Sequence, residues 1–432
     1  MIEICPLNRP LQAVVEVPGS KSISNRALPI AALANGTSIL HNMLFSDDSR
    51  YFMSCLQQIG YRLEIDETNR IVTVEGRGGV IPEHTGLLDL FVGNAGTAAR
   101  FLTAFVSLGK GSYRIDGIPR MRERPIQDLI NALRTLGVNI RSELGTGCPP
   151  VLIEASGIKG GAVSIPGTRS SQYLSALLLA APYAQSDVDI QVDGELLSAP
   201  YINMTLSMME QFGVRVEKRG DGAFHVPGGQ MYTAREYVIE PDASSASYFI
   251  AAPAIAGGKV RVNHLSRTSL QGDAQFAGLM ERMGCQVRWG HDFIEVERPA
   301  GQELRGIDVD LNEMSDTTMT LAVVAPFAST STTIRNIGHI RIKETDRIHA
   351  VVTELRKMGV RVDEWEDGMR IEPAERLQPA EIDTYDDHRM AMAFALVGLK
   401  VPGIKIKDPE CVSKTFPDYF DVFTHMCRQT TT

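Results

Sequence analysis

Cations at recurring positions are the first chemical signal in this 432-residue chain. Lys21, Arg26, Arg100, Arg169 and Arg389 lie in or beside short clusters of Ser, Thr, Asn and Asp; Arg120, Arg122, Arg124, Lys343, Arg347 and Lys414 lie in adjoining loops. Such polar clusters mark helix starts. There, unpaired N–H groups and the positive end of the helix dipole make a ready anion site. Charge-assisted bonds contribute roughly 1.5–3 kcal/mol each, so several converging ones select a phosphate or a carboxylate. The ligand implied is small, compact and multiply anionic. Taken singly, the segments also have plainer readings: Met121–Pro125 as a solvated charged loop, Lys343–Arg347 as a helix start with i,i+4 pairing, and the Ser/Thr/Asn/Asp clusters as ordinary caps. Gly93-Asn-Ala-Gly96 lacks the third glycine of a dinucleotide fingerprint, and His388 has no second His at metal-binding spacing.

The elements that carry these residues repeat. A helix-end phrase, Leu/Met-x-x-x-Gly followed by an alternating strand, occurs at Gly60, Gly137, Gly213, Gly284 and Gly359. Out of phase with it, a polar cluster followed by small and apolar residues and a β-branched strand begins near Lys21, Asn94, Ser170, Ser244, Asp316 and Asp387. The shared period predicts six α/β units of about 72 residues, each with a buried small-residue helix, a strand, an amphipathic helix and further strands. Pro182, Pro253 and Pro326 fall late in three of the buried helices, where they are expected to kink or end them.

Six units exceed what one core holds, so two lobes of three are expected, with the seam near Val238–Asp242. One lobe is residues 20–238; the other is 239–432 completed by residues 1–19 through the strand Leu11–Val17. The chain crosses near 14–20 and again near 238–242. The last unit, ending in a strand at Ile404–Lys407 and a tail, is expected to lack its second helix.

Composition narrows the function. Asp plus Glu is 52 against 43 for Lys plus Arg, a net charge of −9, which argues against a nucleic-acid binder and makes any anion site local. No apolar run is long enough to span a bilayer, and the opening residues lack signal or transit character, so a cytoplasmic location is expected. Six scattered cysteines suggest neither a zinc site nor a disulfide framework.

Several motifs together resemble the 5-enolpyruvylshikimate-3-phosphate synthase family: Pro18-Gly-Ser-Lys-Ser-Ile-Ser-Asn-Arg26, Gly93-Asn-Ala-Gly-Thr-Ala-Ala-Arg100, Met121-Arg-Glu-Arg-Pro125, Asp242-Ala-Ser-Ser-Ala-Ser-Tyr248, Arg341-Ile-Lys-Glu-Thr-Asp-Arg347, Asp387-His-Arg-Met-Ala-Met392 and Lys414-Thr-Phe-Pro417. The resemblance implies the family's two-lobed enolpyruvyl transferase fold, an inside-out α/β barrel of βαβαββ-type units in each lobe, closing on substrate as a monomer without metal or organic cofactor. It implies transfer of the enolpyruvyl group of phosphoenolpyruvate to the 5-hydroxyl of shikimate 3-phosphate. By the same resemblance Lys21, Ser22, Arg26, Ser170, Ser171, Gln172, Ser198, Tyr201, Asp316 and Lys343 would bind shikimate 3-phosphate, with His339, where some members carry Asn, as a further phosphate ligand. Lys21, Asn94, Gly96, Arg124, Gln172, Arg347, Arg389 and Lys414 would line the phosphoenolpyruvate site.

The implied reaction needs an acid and a base. Asp316 is the candidate for the hydroxyl proton and Glu344 for protonating C3, with Lys21 as alternative or helper. Lys343 and Arg347 beside Glu344 should lower its pKa, against the needs of an acid. Gly96 leaves space for glyphosate as an inhibitor, while Ala99 and Phe101, in place of the Met and Pro flanking Arg100 in many members, should weaken it. Two other readings stay open. One is the sister enzyme that enolpyruvylates UDP-N-acetylglucosamine, although Arg114–Pro125 lacks that family's loop Cys. The other is a non-catalytic anion-binding protein.

Overall fold

Small residues at each polar cluster let a helix sink into the core, and amphipathic helices then cover the sheets. The computed structural model describes residues 1–167, 170–220 and 222–429, so Arg169 lies outside the described residues. The chain forms two compact units, Gly19–Ile239 and Met1–Pro18 with Glu240–Thr432.

The Gly19–Ile239 unit carries α1 (Lys21–Leu33), α2 (Asp47–Ile59), α3 (Gly96–Val106), α4 (Gln127–Thr135), α5 (Ser171–Ala180) and α6 (Ala199–Gln211). Helices α1, α3 and α5 are buried along almost their whole length. By contrast α2 buries Phe52, Met53, Leu56 and Ile59, one stripe at helical spacing. It stops at Gly60, whose φ of 108° is open to glycine and strained for other residues.

The three sheets of this unit share one plan. Leu87–Phe91 lies parallel to Lys110–Asp116, which pairs antiparallel with Val151–Ser156, which pairs with Asn139–Ser142. Gly161–Pro166, Val188–Asp193, Ala223–Val226 and Glu217–Arg219 repeat this order. In the first sheet the place of the opening strand is taken by Glu236–Val238, parallel to Asn35–His41 with Tyr237 opposite Leu40. The last strand of the unit thus completes its first repeat.

The second unit carries α7 (Ala243–Ala256), α8 (Phe276–Arg282), α9 (Thr318–Val324), α10 (Arg347–Lys357), α11 (His388–Ala395) and α12 (Tyr419–Gln429). Leu11–Val15 opens its first sheet, parallel to Gly258–Asn263 with Ala13 opposite Val260. Asp308–Asp310, Thr332–Arg335, Met369–Ile371 and Val362–Glu364 form the second. The third has three strands, Glu381–Ile382 parallel to Lys405–Ile406 and Ile2–Glu3 antiparallel to the latter. The arrangement is α/β, built from βαβαββ repeats.

Two expectations are corrected. The tail does form a second helix, α12, because Tyr419, Phe423 and Met426 make a buried stripe; what the last repeat lacks is its β-hairpin, and Ile2–Glu3 stands in for it. Pro182 and Pro326 lie just beyond the ends of α5 and α9, but α7 runs through Pro253 to Ala256, its complete burial outweighing the lost donor. No helix of the described residues is long and apolar enough to cross a membrane.

Candidate active site

In the Gly19–Ile239 unit the site residues are set by helix starts. Ser20 caps α1, its hydroxyl accepting from the Ile23 amide, so that Lys21 and Ser22 stand half-buried on the first turn and Arg26 one turn further in. Arg26 is 3% exposed. Its Nε donates to Thr205 Oγ1 (2.8 Å), Nη1 to the Ser22 carbonyl (2.8 Å), and Nη2 to Ser175 Oγ (3.3 Å) and the Tyr201 carbonyl (3.2 Å). The rings of Phe101 and Tyr201 lie 5.4 and 6.0 Å from its guanidinium carbon. One side chain therefore ties together α1, α3, α5 and α6. Burial lowers its pKa to about 10, with Tyr201 acting in the opposite sense.

Ser170 caps α5 by accepting from the Gln172 amide, which places Ser171 and Gln172 on the first turn; Gln172 Nε2 reaches Thr97 Oγ1 on α3 at 3.2 Å. Ser198 stands immediately before α6 at a left-handed φ of 57° and is buried. Arg124 is buried too, and its Nη1 donates to the carbonyl and Oδ1 of Asn94 (2.9 and 3.1 Å). A Cβ on Gly96 would lie 2.8 Å from the Arg124 guanidinium carbon, so the bare glycine is what admits this arginine. Arg100 donates to the carbonyls of Gly96 (3.1 Å) and Pro125 (2.6 Å), and Tyr173 also donates to Pro125. Those bonds fix the Met121–Pro125 turn. Among the described residues no carboxylate pairs with Arg26, Arg100 or Arg124. Buried cations without counter-charge are costly, and here hydroxyl, carbonyl and amide oxygens offset that cost only in part.

In the second unit the cations converge on acids. Asp316 lies on the turn Asn312–Thr317 ahead of α9. Its Oδ1 accepts from Lys343 Nζ (2.7 Å) and Arg347 Nη1 (3.1 Å), and its Oδ2 from Arg389 Nη2 (2.7 Å). Arg347, 1% exposed, also donates to Glu344 (2.9 Å) and to Asp387 through Nε (2.7 Å) and Nη2 (3.3 Å). Burial works against its charge, but Asp387, Glu344 and Asp316 together raise its pKa above the ordinary arginine value. Asp387 caps α11 by accepting from the Arg389 amide, and Arg389 reaches Tyr248 Oη at 3.4 Å. His339 Nε2 meets Ser315 Oγ at 2.9 Å; burial, assisted by Lys343 and opposed by Asp316, lowers its pKa to about 3, leaving a neutral imidazole. Lys414 is buried on the turn Pro409–Lys414, which packs on α11.

The family model for EPSP synthase (3-phosphoshikimate 1-carboxyvinyltransferase) matches residues 7–423. This chain belongs to the EPSP synthase family. The 3-phosphoshikimate 1-carboxyvinyltransferase of Trichormus variabilis is 54% identical over 428 residues, covering 99% of both chains, and that of a Sulfurovum species is 50% identical over 416 residues, covering 96% of both. The solved EPSP synthase of Acinetobacter baumannii superposes with a TM-score of 0.81 at 25% identity, covering 98% of this chain and 97% of that one.

On this EPSP synthase fold the residues named from sequence divide by unit. Lys21, Ser22, Arg26, Asn94, Gly96, Arg124, Ser170, Ser171, Gln172, Ser198 and Tyr201 belong to Gly19–Ile239; Asp316, His339, Lys343, Glu344, Arg347, Arg389 and Lys414 belong to the other. Sequence reasoning gave no role to Thr205, Ser175, Asp387 or Asp273. Thr205 and Ser175 carry a signal, a hydroxyl one helical turn after Tyr201 and Ser171 on helices α6 and α5. Asp387 stands inside a quoted motif, but its partner Arg347 is 40 residues upstream. Asp273 is buried against the Ser244 hydroxyl, and burial, then the charge of Asp316, raises its pKa to about 6.

Proposed function

We propose that this EPSP synthase family member transfers the enolpyruvyl group of phosphoenolpyruvate to the 5-hydroxyl of shikimate 3-phosphate, giving 5-enolpyruvylshikimate 3-phosphate and phosphate. The reading is supported above all by Asp316, held by Lys343, Arg347 and Arg389 in a chain that matches the family almost end to end. Each substrate carries a phosphate and a carboxylate, and bringing them together requires that their repulsion be cancelled.

In this reading Ser22, Arg26, Ser170, Ser171, Gln172, Ser198, Tyr201, His339 and Lys343 hold shikimate 3-phosphate. Asn94, Gly96, Arg124, Gln172, Arg347, Arg389 and Lys414 hold phosphoenolpyruvate, and Lys21 serves both. C3 of phosphoenolpyruvate takes a proton from Glu344, with Lys21 as helper; the 5-oxygen attacks C2 as Asp316 takes the hydroxyl proton. The tetrahedral adduct then loses phosphate from C2 and a proton from C3, restoring the double bond. When substrate oxygens share Lys343, Arg347 and Arg389, Asp316 is relieved of part of its positive surround and its basicity rises. Arg347 sits on Glu344, so sharing it with substrate would likewise raise that acid's pKa. The reading extends to a cytoplasmic monomer that needs no metal or organic cofactor and is inhibited by glyphosate.

The test is phosphate release from phosphoenolpyruvate in chelated buffer, with shikimate 3-phosphate or UDP-N-acetylglucosamine as acceptor. Release only with the former is expected; release with neither, from folded protein, leaves an anion-binding protein.

A further inference from the structure

Glu354 is a buried acid that the proposed reaction does not use. It lies two turns after Arg347 on α10 and is fully buried. Its Oε1 accepts from Tyr385 Oη (2.6 Å) and Lys357 Nζ (2.8 Å), and its Oε2 from the Asp383 amide (3.2 Å). Tyr385 and Asp386 are consecutive residues in the left-handed region, with φ of 56° and 53°. A bulky L-residue there is disfavoured and persists only where its surroundings hold it. Tyr385 is 37% exposed, so burial alone does not hold this turn; the Asp387 amide closes it by donating to the Thr384 carbonyl (2.9 Å), and the Tyr385 hydroxyl ties it to Glu354 on α10.

The next residue is Asp387. It caps α11 and presents both oxygens to Arg347, which continues to Asp316 and Glu344. Helix α10 thus grips one turn at two points, through Glu354 on the Asp383–Tyr385 side and through Arg347 on Asp387. We propose that Glu354 and Tyr385 are positioning residues that clamp the left-handed Tyr385–Asp386 turn, so that Asp387 holds Arg347 and Arg389 in register against Asp316. The inference rests on the reading of Asp316, Arg347 and Arg389 as the reaction site.

Tyr385→Phe keeps the ring and removes the clamp. Because Arg347 and Arg389 are assigned to phosphoenolpyruvate, KM for that substrate is expected to rise about tenfold and kcat to fall by about ten- to a hundredfold, while KM for shikimate 3-phosphate stays within about twofold. Glycine adopts φ > 0 without strain, so Tyr385→Phe combined with Asp386→Gly should recover most of the loss. The Arg389 amide, bonded to Asp387, should exchange hydrogen faster in Tyr385→Phe and return toward the wild-type rate in the double variant. Folded Tyr385→Phe with wild-type exchange and an unchanged KM for phosphoenolpyruvate would overturn the proposal, as would equal rises in both KM values or failure of Asp386→Gly to rescue. Asp316→Asn, assayed in parallel, separates the two claims: wild-type turnover in it defeats the reading of the site, while the exchange rates still judge the clamp.

Discussion

In the Gly19–Ile239 unit Arg26, Arg100 and Arg124 are met by hydroxyls, carbonyls and an amide oxygen, whereas in the other unit Arg347 and Arg389 are met by Asp316, Glu344 and Asp387. Burial lowers the pKa of Arg26 and Arg100 to about 10, while the carboxylates raise that of Arg347. All remain charged at neutral pH, but the charge serves different ends. A guanidinium held by neutral groups keeps its full attraction for an incoming anion. One already paired with carboxylates gives up part of its field and gains a fixed place beside an acid or base. In the proposed reaction the first kind of arginine serves affinity and the second proton handling.

The largest expected effect comes from removing the acid at the centre of the paired cluster. Asp316→Asn should lower kcat by about 10³-fold, within the range for a positioned general base, with substrate affinity by calorimetry largely kept. A wild-type kcat would end the contrast at once. Next, Arg347→Ala should destabilise the fold by about 3–5 kcal/mol in denaturant titration, since it strands buried carboxylates, whereas Arg124→Ala, which strands none, should leave stability unchanged or slightly higher. The same Arg124→Ala should lower kcat/KM for phosphoenolpyruvate by roughly 10–100-fold, the equivalent of one charge-assisted bond. Equal stability losses in both variants would erase the distinction between the units.

Gly96→Ala tests the neutral site more gently. The added methyl displaces Arg124, so KM for phosphoenolpyruvate and the inhibition constant for glyphosate should both rise, at a cost of about 1–3 kcal/mol in local packing. If glyphosate does not compete with phosphoenolpyruvate up to millimolar in the wild type, its assignment to this pocket fails. The smallest effect concerns His339. Its folded pKa, about 3, is below its unfolded value near 6.5, so between those values the unfolded chain binds more protons and stability falls as pH drops. His339→Asn should lose less stability than wild type from pH 7 to pH 4.

The repeat architecture was legible because its period is written twice, in the glycines ending amphipathic helices and in the polar clusters opening buried ones. Helix α12 was not, because no polar cluster or terminal glycine announces it, only the spacing of Tyr419, Phe423 and Met426. In the site, the cations and Gly96 could be read from residue type. Which groups meet them could not: Thr205 and Ser175 lie 179 and 149 residues from Arg26, and nothing in local sequence tells a carboxylate partner from a hydroxyl. The sequence does expose the tension at Glu344, and the structure gives its source, Arg347 at 2.9 Å. It could not show His339 held neutral, because that depends on burial.

The pairing of Leu11–Val15 with Gly258–Asn263, and of Ile2–Glu3 with Lys405–Ile406, bears on how the chain is made. During synthesis Gly19–Ile239 can close its own sheets once Glu236–Val238 has emerged from the ribosome. Leu11–Val15 and Ile2–Glu3, by contrast, wait for partners roughly 250 and 400 residues behind them, tens of seconds at ordinary elongation rates. Through that interval Leu11, Ala13 and Val15 have no sheet to join, so this apolar stripe stays uncovered until Gly258–Asn263 has been made.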